Sequence, residues 1–235
     1  MIILQEFYPE NTLKLGSVSP WIAILMLVIA YIGSIFVTVF FMMLLPGKYA
    51  LYISAILGEA LLGIIPLIYV ASQKIDYVEY LRIKIGPKAI ILGIIFGIVM
   101  WLLGVVLVNL IYTFIGPSKA LEQTNEAIAQ LSQDQIGLVM MGIVMSSAGI
   151  FEEIALRGII FRSLDEKYNF VIALFLSSLI FGFLHFDPQG IYIFITFIFG
   201  LLLGYLYKRY QNLTITILAH ATNNLISLFL LALLT

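Results

Sequence analysis

The chain has 235 residues, of which 62% are hydrophobic and only 11% are charged. A soluble domain carries about 25% charged residues, so this composition excludes an ordinary soluble protein and indicates a polytopic membrane protein. The formal net charge of −1 argues against a nucleic-acid partner, which requires a basic surface. There is no cysteine, which excludes disulfides, thiolate metal ligands and a cysteine nucleophile.

Seven apolar stretches approach the roughly 20 residues that a membrane-spanning helix needs. They are 21–45, 49–72, 89–115, 136–161, 170–186, 191–207 and 213–234. The pattern predicts an all-α fold: a transmembrane helical bundle with seven, or eight, spanning helices. The whole chain, 1–235, is predicted to be a single membrane domain.

Four parts of this domain differ in composition. The N-terminal segment, 1–20, lacks the basic start of a signal peptide and is expected to be retained. Residues 21–115 are predicted to be scaffold helices, in which Gly93-x-x-x-Gly97 favours close helix packing. Residues 117–135 are polar and predict a short amphipathic helix on the membrane surface. The remaining helices, at 136–234, carry most of the polar groups.

The basic residues predict the orientation of the bundle. Most lysine and arginine residues fall in the loops on one side of the membrane, and only Lys48 and Lys119 fall in loops on the other. Because loops rich in these residues stay in the cytoplasm, the N-terminus is expected there. The predicted location is a prokaryotic plasma membrane.

The most informative stretch, 149–158, contains Glu152, Glu153 and Arg157 among apolar residues. Ionisable groups at membrane depth are costly, which makes them candidates for a functional site. On an α-helix, Glu153 and Arg157 share a face and can pair. Glu152 points about 100° away. The spacing predicts a structural Glu153–Arg157 pair and an available carboxylate at Glu152.

Both histidines lie in later predicted spans. His185 follows Phe181 by four residues, and Asn224 follows His220 by four, so each pair shares a helix face. A single buried His or Asn is commonly a helix–helix hydrogen bond. Their concentration with Glu152 on three late helices nevertheless favours a functional site. The lone carboxylate of Glu59, in an early span, is predicted to be structural.

These residue types suit hydrolysis by an activated water. A carboxylate and an imidazole can deprotonate the water, and a second imidazole with an amide can stabilise an oxyanion. Glu152, His185 and His220 could instead hold a zinc ion with one open position. The usual His-Glu-x-x-His pattern is absent, so both alternatives stay open.

Three motifs together resemble the CPBP family, the type II CAAX prenyl endopeptidases and their bacterial and archaeal relatives. The motifs are Glu152-Glu153-x-x-x-Arg157, Phe181-x-x-x-His185 and His220-x-x-x-Asn224. The resemblance implies that Glu152 and His185 activate water and that His220 and Asn224 bind the oxyanion. It also implies structural support from Glu153, Arg157 and Phe181. The implied partners are membrane lipid and a peptide with a prenylated C-terminus. No cofactor is favoured, and zinc is the alternative.

Two other functions are compatible with the composition. A transporter could use Glu59, Glu152 and the histidines as a proton relay, and a non-catalytic immunity or scaffold protein could retain the helices alone. The concentration of polar groups in the second half disfavours the transporter, and the intact motifs disfavour the non-catalytic protein.

The protease interpretation has one geometric requirement. Counted from the predicted helix ends, His220, Glu152 and His185 lie at depths of about 10, about 14 and about 22 Å, and one site requires them to converge.

Overall fold

The computed structural model describes residues 17–234. The predicted N-terminal segment, 1–20, lies almost entirely outside the described residues. The described part is helical and contains no strand, which confirms the predicted all-α class. In chain order the elements are α1 (Pro20–Leu44), α2 (Lys48–Ser72), α3 (Tyr77–Leu81), α4 (Pro87–Phe114), α5 (Lys119–Leu131), α6 (Gln135–Glu153), a π-helix (Ile154–Phe161), α7 (Arg162–Lys167), α8 (Phe170–Leu184), α9 (Ile191–Tyr210) and α10 (Leu213–Leu234).

All seven apolar stretches form helices, and six of the resulting helices are long and apolar enough to cross a membrane. The exception is α8, whose 15 residues extend only about 22 Å at ~1.5 Å per residue, less than the ~30 Å of hydrocarbon. It is short because the chain leaves the helix at His185 and begins α9 at Ile191. The described part thus has six full-length candidate spans and one short apolar helix, against the predicted seven.

The close approach expected from the Gly93-x-x-x-Gly97 spacing occurs where α4 packs against α10. A Cβ atom at Gly93 would lie 2.4 Å from the Cβ of Leu218, and one at Gly97 would lie 2.5 Å from the Cβ of Thr222. Both distances are far below van der Waals contact, so only glycine lets the two backbones pack this closely. This contact sets the position of α10, which carries the second histidine.

We expect Gly97→Ala to destabilise the bundle, because its methyl group would also lie 2.7 Å from the carbonyl oxygen of Ala219. Overpacking of this kind lowers the free energy of unfolding by about 1–3 kcal/mol. Thermal unfolding in detergent measures the loss. The matched control is Gly86→Ala, just before the start of α4, where an added Cβ meets no atom within 4 Å. An unchanged unfolding midpoint in Gly97→Ala would contradict the packing argument.

The centre of the bundle is the unbroken helical run formed by α6, the π-helix and α7. Every residue from 152 to 164 is buried. A π-helix, with hydrogen bonds from each residue to the fifth along the chain, is rare and occurs frequently at functional sites. Here it begins directly after Glu153, so both carboxylates lie where the helical geometry changes. Within it, Gly158 admits the side chain of Leu81 from α3, whose Cδ2 would lie 2.4 Å from an added Cβ.

The predicted amphipathic segment, 117–135, contains α5. None of the α5 residues is buried, as expected for a helix at the surface of the bundle. Ser118 caps its start by accepting a hydrogen bond from the Leu121 amide and donates another to the Gln189 side chain at 2.9 Å. The start of α5 is therefore tied to the connection between α8 and α9.

Candidate active site

The described structure brings Glu152 and the two histidines together. One carboxylate oxygen of Glu152 lies 3.9 Å from Nε2 of His185, and the other lies 3.9 Å from Nε2 of His220. Glu152 and His220 are buried, while the His185 side chain is 20% exposed. At 3.9 Å neither contact is a direct hydrogen bond, and the separation suits a bridging water. Three helices thus converge on one carboxylate within the bundle.

Hydrogen bonds at the Nδ1 atoms orient both imidazole rings. His185 Nδ1 lies 3.0 Å from the carbonyl oxygen of Phe181, and His220 Nδ1 lies 3.3 Å from Oε1 of Glu153. Because a carbonyl and a carboxylate only accept hydrogen bonds, Nδ1 carries the proton in each ring. In their neutral forms both histidines therefore present an accepting Nε2 to Glu152.

The ion pair expected from the spacing of Glu153 and Arg157 is present. The two side chains are completely buried, and Arg157 NH1 donates to Oε1 of Glu153 at 2.6 Å. Arg157 NH2 also donates to the carbonyl oxygen of Gly200 at 3.2 Å. The same Glu153 oxygen lies 3.3 Å from His220, so the pair holds an imidazole as well as two helices.

The Phe181 ring lies among the side chains of Arg157, His185 and His220. Its ring stacks edge-to-face on His185 and on His220, with ring centroids 4.8 and 5.6 Å apart. The Arg157 guanidinium lies 4.6 Å from the centroid of the same ring, a cation–π contact. The structural role predicted for Phe181 therefore has a physical basis, since one buried ring contacts all three side chains.

The differing depths counted from the sequence converge because one helix is longer than predicted and another begins deeper in the bundle. The helix that carries Glu152 does not end at Phe161 but continues to Lys167, about 22 Å from Glu152. His185 lies about 22 Å from the start of α8, so the two match. The third helix, α10, begins deeper, because Leu213 contacts the position of Gly158, where an added Cβ would lie 3.6 Å away.

Asn224 does not face Glu152 in the same way as the histidines. Its side-chain amide donates to the carbonyl oxygen of Met145 at 3.1 Å, and its oxygen accepts a hydrogen bond from Asn223 at 3.1 Å. Met145 precedes Glu152 by two turns of α6, about 10 Å along the axis. The Asn224 amide thus joins α10 to α6, and its predicted oxyanion role requires it to leave Met145.

Glu59 lies closer to Glu152 than its position in an early span suggested. One oxygen of its carboxyl is buried without a hydrogen-bond partner among the described residues, and the group interacts electrostatically with Glu152. It lies one turn from Gly63, where an added Cβ would meet the Phe151 side chain of α6 at 2.6 Å. Glu59 therefore lies on the face of α2 that packs against the helix of Glu152.

Two residues near the site were missed in the sequence. Tyr192 stacks on His185 with ring centroids 5.4 Å apart. Asp187 is buried, and its carboxylate accepts hydrogen bonds from four backbone amides at the start of α9. In the sequence, Asp187 indicated only a helix cap, because an acidic residue before an apolar stretch commonly has that role. Nothing in the spacing indicated that Tyr192 faces a histidine.

The candidate zinc ligands do not form a closed metal site in the described structure. Glu152, His185 and His220 have the chemistry of a zinc donor set. However, each Glu152 oxygen faces a different imidazole at 3.9 Å, and among the described residues no group of three such side chains could hold a metal ion. The predicted zinc alternative is not carried into the chemistry proposed for this site.

Comparison with known proteins identifies the part of the chain that carries the motifs. Residues 134–226 match the family model described as type II CAAX prenyl endopeptidase Rce1-like. A Bacillus subtilis (strain 168) protein named "Putative membrane peptidase YdiL" is 38% identical over 93 residues, which are 39% of this chain and 37% of that relative. The match therefore spans little more than a third of the relative, and no solved structure matches the chain. The predicted resemblance is confirmed for this part of the integral membrane protein: residues 134–226 are similar to the type II CAAX prenyl endopeptidases.

Proposed function

We propose that this protein is an intramembrane endopeptidase that cleaves a peptide bond near a membrane-anchored, prenylated C-terminus. The observation that carries the proposal is the pair of imidazole Nε2 atoms 3.9 Å from the two oxygens of Glu152. A buried carboxylate between two hydrogen-bond acceptors is suited to binding and deprotonating a water molecule. The family match at residues 134–226 supports the same chemistry.

In the proposed mechanism, Glu152 is the general base. Its carboxylate takes a proton from water, and the water oxygen forms a bond to the carbonyl carbon of the peptide. His185 accepts a hydrogen bond from the same water and orients it. When the tetrahedral intermediate collapses, the C–N bond breaks and Glu152 transfers its proton to the departing amine nitrogen. No covalent enzyme intermediate forms.

Stabilising the oxyanion of that intermediate requires hydrogen-bond donors. His220 can donate from Nε2 only as an imidazolium, since its neutral form carries the proton on Nδ1. Glu153 accepts from that Nδ1 and holds the ring towards Glu152. Asn224 would contribute after its amide leaves the Met145 carbonyl. Glu153 and Arg157 are proposed to position these groups and do not touch the peptide.

Reconstituted protein with membrane-anchored peptides tests this function. We expect mass spectrometry to detect new termini near the anchored C-terminus, with prenylated peptides cleaved faster than unprenylated ones. Proton flux across the liposome membrane without any cleavage would support the transporter, which the electrostatic proximity of Glu59 and Glu152 would serve. A protein with neither activity would fit the non-catalytic scaffold.

Removal of divalent metal is expected to leave cleavage unchanged, because the proposed mechanism activates water through Glu152 and His185 and assigns no step to a metal. The measurement is the cleavage rate before and after treatment with a chelator, together with the zinc content of the purified protein. Zinc bound in an equimolar amount, with loss of cleavage on chelation and recovery on adding zinc back, would contradict this prediction and support a metalloprotease.

A further inference from the structure

Few hydrogen-bond donors face Glu152 in the described site. Both neutral histidines present accepting nitrogens to Glu152, and the Asn224 amide is bonded to the Met145 carbonyl. An oxyanion, however, needs N–H or O–H groups directed at it in a water-poor site. A further donor close to Glu152 would meet this requirement.

Tyr192 lies beside this group from the first turn of α9. Its ring packs edge-to-face on His185, with ring centroids 5.4 Å apart and ring planes at 88°. Its hydroxyl group also interacts electrostatically with Glu152. The histidine that Tyr192 contacts is the partly exposed one of the two, with 20% of its side chain accessible.

Hydrogen bonds to Asp187 fix the backbone at Tyr192. The buried Asp187 carboxylate accepts hydrogen bonds from the amides of Tyr192 at 2.8 Å and Ile193 at 3.2 Å. It also accepts from the amides of Gln189 and Ile191, which closes the connection between α8 and α9. Because a preorganised donor pays no reorganisation cost during the reaction, this support favours a catalytic role over a chance contact.

The hydroxyl group of Tyr192 is available to a substrate as far as the described residues show. Among the residues that the structure describes, none forms a hydrogen bond with it, whereas one N–H of the Asn224 amide is bonded to the Met145 carbonyl. A tyrosine hydroxyl donates one hydrogen bond and keeps its proton at neutral pH. Those are the properties that an oxyanion donor needs.

We propose that Tyr192 is a further catalytic residue of this site, donating its O–H to the carbonyl oxygen of the scissile peptide bond as that oxygen becomes negatively charged. The inference rests on the proposed peptidase function. When the water oxygen bonds to the carbonyl carbon, the C=O π electrons move to the oxygen, and Tyr192 stabilises that charge without giving up its proton. The electrons return as the C–N bond breaks, and Glu152 protonates the amine.

The test compares Tyr192→Phe with Tyr205→Phe, an exposed tyrosine on the same helix. Removing one oxyanion donor lowers kcat by about 10²-fold to 10³-fold. We expect this loss in Tyr192→Phe, with KM and the unfolding midpoint unchanged because the hydroxyl forms no hydrogen bond with the described residues. Tyr205→Phe should behave as wild type. A kcat for Tyr192→Phe within threefold of wild type would overturn the proposal.

A second measurement separates this proposal from the proposed function. A peptide aldehyde, which forms a tetrahedral hydrate, should bind Tyr192→Phe more weakly than wild type by a factor similar to the loss in kcat, while binding of the uncleaved peptide stays the same. Equal weakening for both ligands would assign Tyr192 to substrate binding and overturn the oxyanion role. If Glu152→Gln retains full cleavage, the peptidase mechanism fails. If Glu152→Gln is inactive and Tyr192→Phe is not impaired, only the present inference fails.

Discussion

Glu152→Gln is expected to reduce the rate of peptide cleavage by about 10²-fold to 10⁴-fold, the usual contribution of a general base. The carboxamide has nearly the same shape as the carboxylate but cannot accept a proton from water. Both Nε2 atoms near Glu152 are acceptors in the neutral rings and each faces a different carboxylate oxygen, so the amide group of glutamine can donate to one of them and the fold should be retained. Steady-state kinetics should show the loss in kcat, with KM nearly unchanged.

The matched control for this variant is Glu59→Gln. Glu59 is a second carboxyl group within the membrane-spanning helices, and it interacts electrostatically with Glu152. Because the proposed mechanism assigns it no proton transfer, Glu59→Gln should keep most of the cleavage activity. Equal losses in the two variants would favour a shared proton pathway, as in the transporter. A Glu152→Gln rate above a tenth of wild type would argue against the general base.

Arg157→Met is expected to cost about 3–5 kcal/mol of stability, because it leaves the Glu153 carboxylate buried without its cation. Both side chains of the pair are 0% exposed, so water cannot replace the missing partner. Unfolding of purified protein in detergent measures the change. Arg209→Met removes an arginine that is exposed to solvent and should leave the unfolding midpoint unchanged.

A double variant separates the stability of the pair from its role in the site. Replacing both partners with apolar residues, as in Glu153→Leu with Arg157→Met, should recover much of the lost stability, because no unpaired charge is buried. It should not recover cleavage, since His220 loses the acceptor that orients its ring. A double variant that is both stable and fully active would show that Glu153 has no positioning role.

The parts of the site that depend on one helix could be predicted from the sequence. The Glu153–Arg157 pair follows from a spacing of four residues, and the separate direction of Glu152 follows from helical geometry. The apolar stretches likewise predicted every long helix, since a membrane span needs mainly length and hydrophobicity. The cytoplasmic position of the N-terminus stays a prediction based on the basic residues.

The parts that depend on two or more helices could not be predicted. The convergence of Glu152 with His185 required the helix to continue through a π-helix and past Phe161 into α7, which no local pattern indicated. Asn224 shares a helix face with His220, yet its amide bonds to Met145 because α6 passes beside it at that level. Tyr192 approaches His185 only because Asp187 closes the turn between their helices.

The mid-helix position of Glu152 sets a minimum reach for any chain that approaches it from water. Along its own helix the carboxylate is about 22 Å from Lys167, and an extended polypeptide advances only ~3.3–3.6 Å per residue, so about six or seven residues are needed there. Leu213, at the start of α10, is itself buried and packs beside Gly158, so the start of that helix does not mark a nearer boundary with water. A lipid-anchored tail that enters from this end must therefore place about six or seven extended residues inside the bundle before its peptide bond reaches Glu152.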